Sequence, residues 1–258
     1  MAKLKNYSSI VNNFVLFLTF SVFFSCQNQR LFVTKIEGTK IGITEKATQN
    51  EAIDAYIKPY KDKIDADLNS VLSYAPQTFD KTGAWQTSVG NLFADCTFKQ
   101  GNPIFLKREQ KEIDFVLLNN GGIRSIIPKG NVTAKTAYEL MPFENELVII
   151  ALKSEQVIEL VTHLIAEKKP HPVSGITFTI SKENTLKNLL VQGKPLETSK
   201  IYYVATNDYL ANGGDNMEFF KKGIKRYNLD YKLRNVLIDY FKTTKSLPVT
   251  TDIRINKE

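Results

Sequence analysis

Phe115-Val116-Leu117-Leu118 is the stretch that most restricts what this chain can become. A strand with one wet face alternates apolar and polar residues, whereas a wholly apolar strand has to be covered on both faces. Glu146 to Leu152 (ELVIIAL) and Ile201 to Thr206 (IYYVAT) read as further strands, as do 175–181, 186–192 and Leu68 to Tyr74. Residues 31–49 suggest a short lead-in strand pair. Helical spacing appears around them. Ile53, Tyr56, Ile57, Tyr60 and Ile64 predict an amphipathic helix from Glu51, and Thr87 or Ser88 caps a second through Leu92, Ala94 and Phe98. Ser154 caps a third, which carries Val157, Val161, Leu164 and Ile165 and stops before Pro170; Leu233 to Phe241 makes a closing helix. Strands with helices between them and at both ends imply layered packing around a single core.

The start of the chain reads differently. Lys3 and Lys5 precede an apolar run from Phe14 to Phe24 (FVLFLTFSVFF), which is short for a membrane span and suited to a secretory signal. Phe23-Phe24-Ser25-Cys26 resembles a bacterial lipobox. The expected organisation is a signal over 1–25, lipidation at Cys26, a lead-in over 26–44 and one domain over 45–258. That places the protein in the cell envelope, anchored to a membrane and facing the periplasm or the exterior. A conventional signal cut before Gln27 is the alternative. Once Cys26 is acylated, Cys96 is the remaining thiol, and its setting in NLFADCTF predicts a buried, inert side chain. The net charge of +7 is spread without an arginine-rich run, which argues against a nucleic-acid surface and is compatible with a small anionic ligand.

Two loops leave apolar strands and share a composition. In Asn119-Asn120-Gly121-Gly122-Ile123-Arg124 the glycines permit close approach of main chain to a ligand, and Arg124 offers a planar, permanently charged fork suited to phosphate. In TNDYLANGGDNMEFF (206–220) paired glycines again precede a functional group, Asp215, with Tyr209 offering a flat face. Each has a plain reading as a surface turn. Between them lies Met141-Pro142-Phe143-Glu144-Asn145, an aromatic after a proline whose plain reading is a core residue beside a fixed turn.

Taken together, LLNNGGIRSIIPKGNVTAKTAYELMPFENELVIIALKSEQVIELV and TNDYLANGGDNMEFF resemble two signatures of the C-terminal domain of 5′-nucleotidases and UDP-sugar hydrolases. SVGNLFADC resembles its Gly-Asn-Leu helix and RNVLIDYFK its last helix. The resemblance covers roughly residues 45–255. It implies an α+β fold, a four-layer α/β/β/α sandwich that holds the nucleotide. Phe143 and Tyr209 would stack on the base through their rings, Asp215 would accept from the ribose hydroxyls, and Asn119 and Arg124 would face the phosphates. The implied ligands are nucleosides, nucleotides or UDP-sugars.

Two departures qualify this expectation. Family members with strong phosphate recognition carry an arginine shortly before the Gly-Asn-Leu helix, where this chain has Thr82-Gly83-Ala84-Trp85-Gln86-Thr87. The family's metallophosphatase domain binds two metals through clusters of Asp, Asn and His. The chain has two histidines, His163 and His171, neither in such a cluster. No cofactor is therefore expected here, and divalent metals are expected only in a separately encoded metallophosphatase partner. A stand-alone nucleotide-binding lipoprotein for scavenging or sensing is the second reading.

Overall fold

The computed structural model describes residues 5–22, 32–42, 44 and 48–258, so Cys26 and the signal boundary lie outside the described residues. The chain divides into two compact units, Met1–Glu51 and Ala52–Glu258. Within the first, the described residues form one helix, α1 (Lys5–Val22), followed by irregular chain. No described helix is long and apolar enough to cross a membrane. The strand pair expected over 31–49 does not form among the described residues. Phe32, Val33, Ile36 and Ile41 are all exposed, so pairing there buries nothing, and a two-stranded hairpin without a covered face is marginal in water.

Helix α2 (Glu51–Asn69), all of it but Glu51 in the second unit, is the one that the Ile-Tyr spacing predicts. Its apolar stripe is nevertheless exposed throughout. Because α2 runs to Asn69, the strand expected from Leu68 begins later, as β1 (Val71–Ala75). There follow α3 (Ser88–Glu109), β2 (Phe115–Leu117), β3 (Gly130–Thr133), α4 (Ala134–Leu140), β4 (Glu146–Lys153) and α5 (Ser154–Glu167). Next come β5 (Val173–Ser174), β6 (Ile176–Ile180), β7 (Leu186–Val191), β8 (Lys194–Pro195) and β9 (Ile201–Asn207). The chain ends with α6 (Asp208–Ala211), β10 (Lys225–Lys232), α7 (Leu233–Thr243) and β11 (Ile255–Lys257). Thr87 caps α3 as expected, accepting the Gly90 N–H at 3.0 Å. The cap of α5 is Lys153 rather than Ser154, whose hydroxyl instead donates to the Thr198 carbonyl at 2.8 Å.

The central sheet runs β10-β4-β9-β2-β5; a second holds β11-β6-β7-β8, and β1 pairs with β3. Strand alternation sends Leu147, Ile149 and Ala151 of β4 to one side and Val148, Ile150 and Leu152 to the other, all buried. On β2, Val116 faces the first side, and Phe115 and Leu117 the second. The first core is closed by α3, α4 and α7, which bring Leu92, Phe93, Leu140, Val236 and Phe241. The second is closed by α5 together with Ile176, Phe178 and Ile180 of β6. The single core expected from the sequence is thus two cores, one on each face of the central sheet. The layers follow the expected α+β, α/β/β/α scheme.

Candidate functional site

Topology brings three segments to one end of the central sheet. β2 and β9 are parallel neighbours, so the Asn119–Arg124 loop and the Asn207–Asn216 loop leave on the same side. β4 runs antiparallel to β9 with Leu147 opposite Asn207, which returns the Met141–Asn145 turn to that end as well. Strand ends of this kind, where connections diverge, are natural ligand sites in mixed sheets.

A cleft of about 310 Å³ opens there, lined by Asn119, Gly121, Gly122, Phe143, Asn145, Tyr209 and Asp215. Phe143 and Tyr209 are 42% and 45% exposed, which makes them platforms rather than core residues. The Tyr209 hydroxyl donates to Asp215 Oδ1 at 2.9 Å and accepts the Asp215 N–H at 3.2 Å. The carboxylate beside it raises the Tyr209 pKa. Gly213 sits at φ 86°, and Asp215 itself at φ 51°, so the chain doubles back over the ring. A side chain at Gly214 would place its Cβ 2.5 Å from the Tyr209 ring. The glycines therefore serve the aromatic directly, and Asp215 reaches the hydroxyl rather than the ring face.

The two asparagines that end the parallel strands tie the loops together. Asn207 Nδ2 donates to Asn119 Oδ1 at 3.0 Å, while Asn207 Oδ1 accepts the Leu210 N–H at 2.7 Å and caps α6. Asp208 accepts the Glu146 N–H at 3.1 Å, joining α6 to the start of β4. The Phe143 turn is held from α7: Arg234 donates to the Pro142 carbonyl at 3.2 Å and pairs with Glu144, while its guanidinium lies 4.3 Å from the Tyr138 ring centre. Lys232 adds a second ion pair to Glu144, and the Leu233 N–H reaches the Asn145 carbonyl at 3.0 Å. Sequence reasoning missed Asn207, Asp208 and Arg234 as supports. The polar pair closing the β9 run was the available signal for the first two, and nothing local marks Arg234.

Of the residues singled out in the sequence, Asn119, Phe143, Tyr209 and Asp215 meet in the cleft. Arg124 stands at its rim, with its guanidinium 5.8 Å from the Phe143 ring centre and Nη1 donating to the Gly121 carbonyl at 3.4 Å. Trp85 packs against the second core, and Gln86 accepts the Arg254 and Ile255 N–H groups at 2.7 and 3.3 Å, so neither lines the cleft. A different cation approaches the first loop: Lys81 Nζ donates to the Ile123 carbonyl at 2.7 Å. His171 is buried beneath Asn120, and His163 lies edge-on to Phe219. Among the described residues no three His, Cys, Asp or Glu side chains are grouped as a metal site requires.

Comparison with known proteins places the fold in a family. The family model for the 5′-nucleotidase C-terminal domain matches residues 70–222. Protein UshA of Escherichia coli is 24% identical over 215 residues, covering 80% of this chain and 37% of its own length. The 5′-nucleotidase of Vibrio parahaemolyticus is 23% identical and covers 86% and 38% respectively. Among solved structures, the 5′-nucleotidase precursor of Thermus thermophilus superposes with a TM-score of 0.66 at 25% identity, covering 80% of this chain and 42% of that one. The chain thus spans well under half the length of these relatives. With more than half of its residues matched in one continuous stretch, it belongs to the 5′-nucleotidase C-terminal domain family.

Proposed function

We propose that this domain recognises nucleotides for a 5′-nucleotidase or UDP-sugar hydrolase system. The observation that carries the proposal is the convergence of Phe143, Tyr209, Asp215 and Asn119 on one cleft. A base between two aromatic faces gains about 1–3 kcal/mol per stacked ring, with little dependence on which base it is. Asp215 is an acceptor for a ribose diol, already fixed by the Tyr209 hydroxyl. Asn119 and the rim guanidinium of Arg124 face the phosphate, where a charged planar donor is strongest. The hydrolytic step belongs to a metallophosphatase partner, where bound divalent metal would supply the Lewis acid and the hydroxide. On this reading the residues of the cleft bind and orient the nucleotide. Lipidation at Cys26 would hold the protein in the cell envelope next to that partner. Replacing Cys26 with serine should release the protein from membrane fractions or leave it uncleaved.

Calorimetric titration of the purified protein with adenosine, AMP and UDP-glucose tests the reading. Binding of adenosine, strengthened by phosphate, is the expected result. Failure of all three ligands to bind would refute it. Hydrolysis measured with divalent metal, alone and with a family metallophosphatase domain added, separates this proposal from a scavenging or sensing protein. Only the former predicts that the added domain acts on substrate with a dependence on Phe143 and Tyr209.

A further inference from the structure

The first glycine loop rests on a buried imidazole. His171, between Pro170 and Pro172, is 1% exposed. Its Nδ1 accepts the Asn120 N–H at 3.3 Å, so the proton of the neutral ring is on Nε2, which donates to Glu167 Oε2 at 2.7 Å. Glu167 closes α5 and also receives Lys169 Nζ on its other oxygen at 2.9 Å. His163 Nε2 stands 3.6 Å from it. A chain of contacts thus runs from the end of α5 through His171 to the main chain of Asn120, next to the residue that binds Asn207.

We infer that His171 is a positioning residue of the nucleotide cleft, and that its neutral form holds the Asn119–Gly122 loop in its binding geometry. This rests on the nucleotide reading above. Protonation puts a hydrogen on Nδ1, which then has nothing to accept from Asn120 with, so that partly buried N–H loses its partner. Burial pushes the imidazole pKa below its usual value, against the opposing pull of Glu167 and Asp215 and of the Leu118 main chain. Burial also disfavours the Glu167 carboxylate, but the hydrogen bonds from Lys169 and His171 outweigh it and hold its pKa low. Both directions favour a neutral imidazole beside an ionised Glu167. The groups facing the pair are Glu167 and His163 from α5, Lys169 from the following segment and Asp215 from the second loop. Ligand affinity is therefore complete above the His171 pKa and falls as pH drops through it, below about 6.5.

The test uses adenosine, whose charge does not change between pH 5 and 8. Affinity is measured across that range by calorimetry, with circular dichroism confirming the fold. In parallel, the Asn120 amide resonance is followed in the ligand-free protein. The parent should lose affinity by about fivefold or more as pH falls through the His171 titration, because the Asn120 amide loses its acceptor. His171→Ala should bind about tenfold more weakly at every pH. His171→Asn places an oxygen near the position of Nδ1. It should restore affinity at pH 8 to within about threefold of the parent and remove the acid limb. Glu167→Gln should move the limb to lower pH, because the imidazolium loses its counter-charge. The Asn120 amide should shift with the same midpoint as the parent's limb and become pH-independent in His171→Asn. An unaltered limb in His171→Asn, or an Asn120 amide that ignores pH in the parent, overturns the inference. No adenosine binding at any pH would instead refute the nucleotide reading, and the amide measurement would still decide the role of His171.

Discussion

The two Asn-Gly-Gly loops of the cleft look alike in sequence and are built on different physics. In the second, Gly213 is required by its left-handed backbone and Gly214 by the Tyr209 ring against its Cα. In the first, neither glycine has positive φ. Gly122 lies close to the Asn119 side chain, where an added Cβ would meet Oδ1 at 2.9 Å. Gly121 has room for a methyl group, its nearest neighbour being Asn119 Nδ2 at 3.6 Å. The second loop is therefore shaped from within by its own ring and carboxylate. The first is shaped from beneath, by Asn207 and His171. A shared dipeptide does not imply a shared reason for glycine.

Substitutions can break that contrast. The largest effect should come from Gly214→Ala, since the new methyl group displaces the Tyr209 ring and with it the contact to Asp215. Nucleoside affinity should fall by roughly 2–4 kcal/mol, one aromatic face plus one hydrogen bond. Thermal unfolding should barely move, because the ring is half-exposed. Phe143→Ala removes one platform and should lose about 1–3 kcal/mol by the same titration. Tyr209→Phe comes next. The family resemblance assigns a role to the ring alone, yet the hydroxyl holds Asp215 in both directions, so a loss of about 0.5–1.5 kcal/mol is expected. Equal binding by Tyr209→Phe and the parent would show that Asp215 needs no support. Smallest of all is Gly121→Ala, which should leave folding stability within about 0.5 kcal/mol as a surface change. If it unfolds the domain, the distinction between the loops is wrong.

What the sequence makes legible follows from burial. β2, β4 and β9 can be read directly because cover on both faces strips them of polar residues. β10 is harder: Tyr227 and Leu229 point inward between polar neighbours, and an edge strand tolerates that dilution. β5 and β8 are two residues each, below any periodic signal. The cap of α5 misleads because Ser154 has a better acceptor forty-four residues away. At the site, four of the five chosen side chains meet because their motifs end neighbouring strands. Their supports, Arg234 and His171, are distant in sequence and become visible only through contacts. The stretch before α3 shows the opposite case. Gln86 departs from the family pattern and anchors β11, while Lys81 nearby brings positive charge to the Ile123 carbonyl.

Cys96 has a practical consequence. The thiol sits fully enclosed on α3, and burial, with Asp95 adding to it, pushes its pKa well above the ordinary range. An alkylating reagent needs an accessible thiolate, so it can react only with molecules in which α3 has opened away from the sheet. With Cys26 replaced by serine, the labelling rate of Cys96 becomes a clock for those openings, and its slowing by ligand would read out how far the cleft is coupled to the first core. The protein carries its own stability probe, placed by the packing of the helix that follows Thr87.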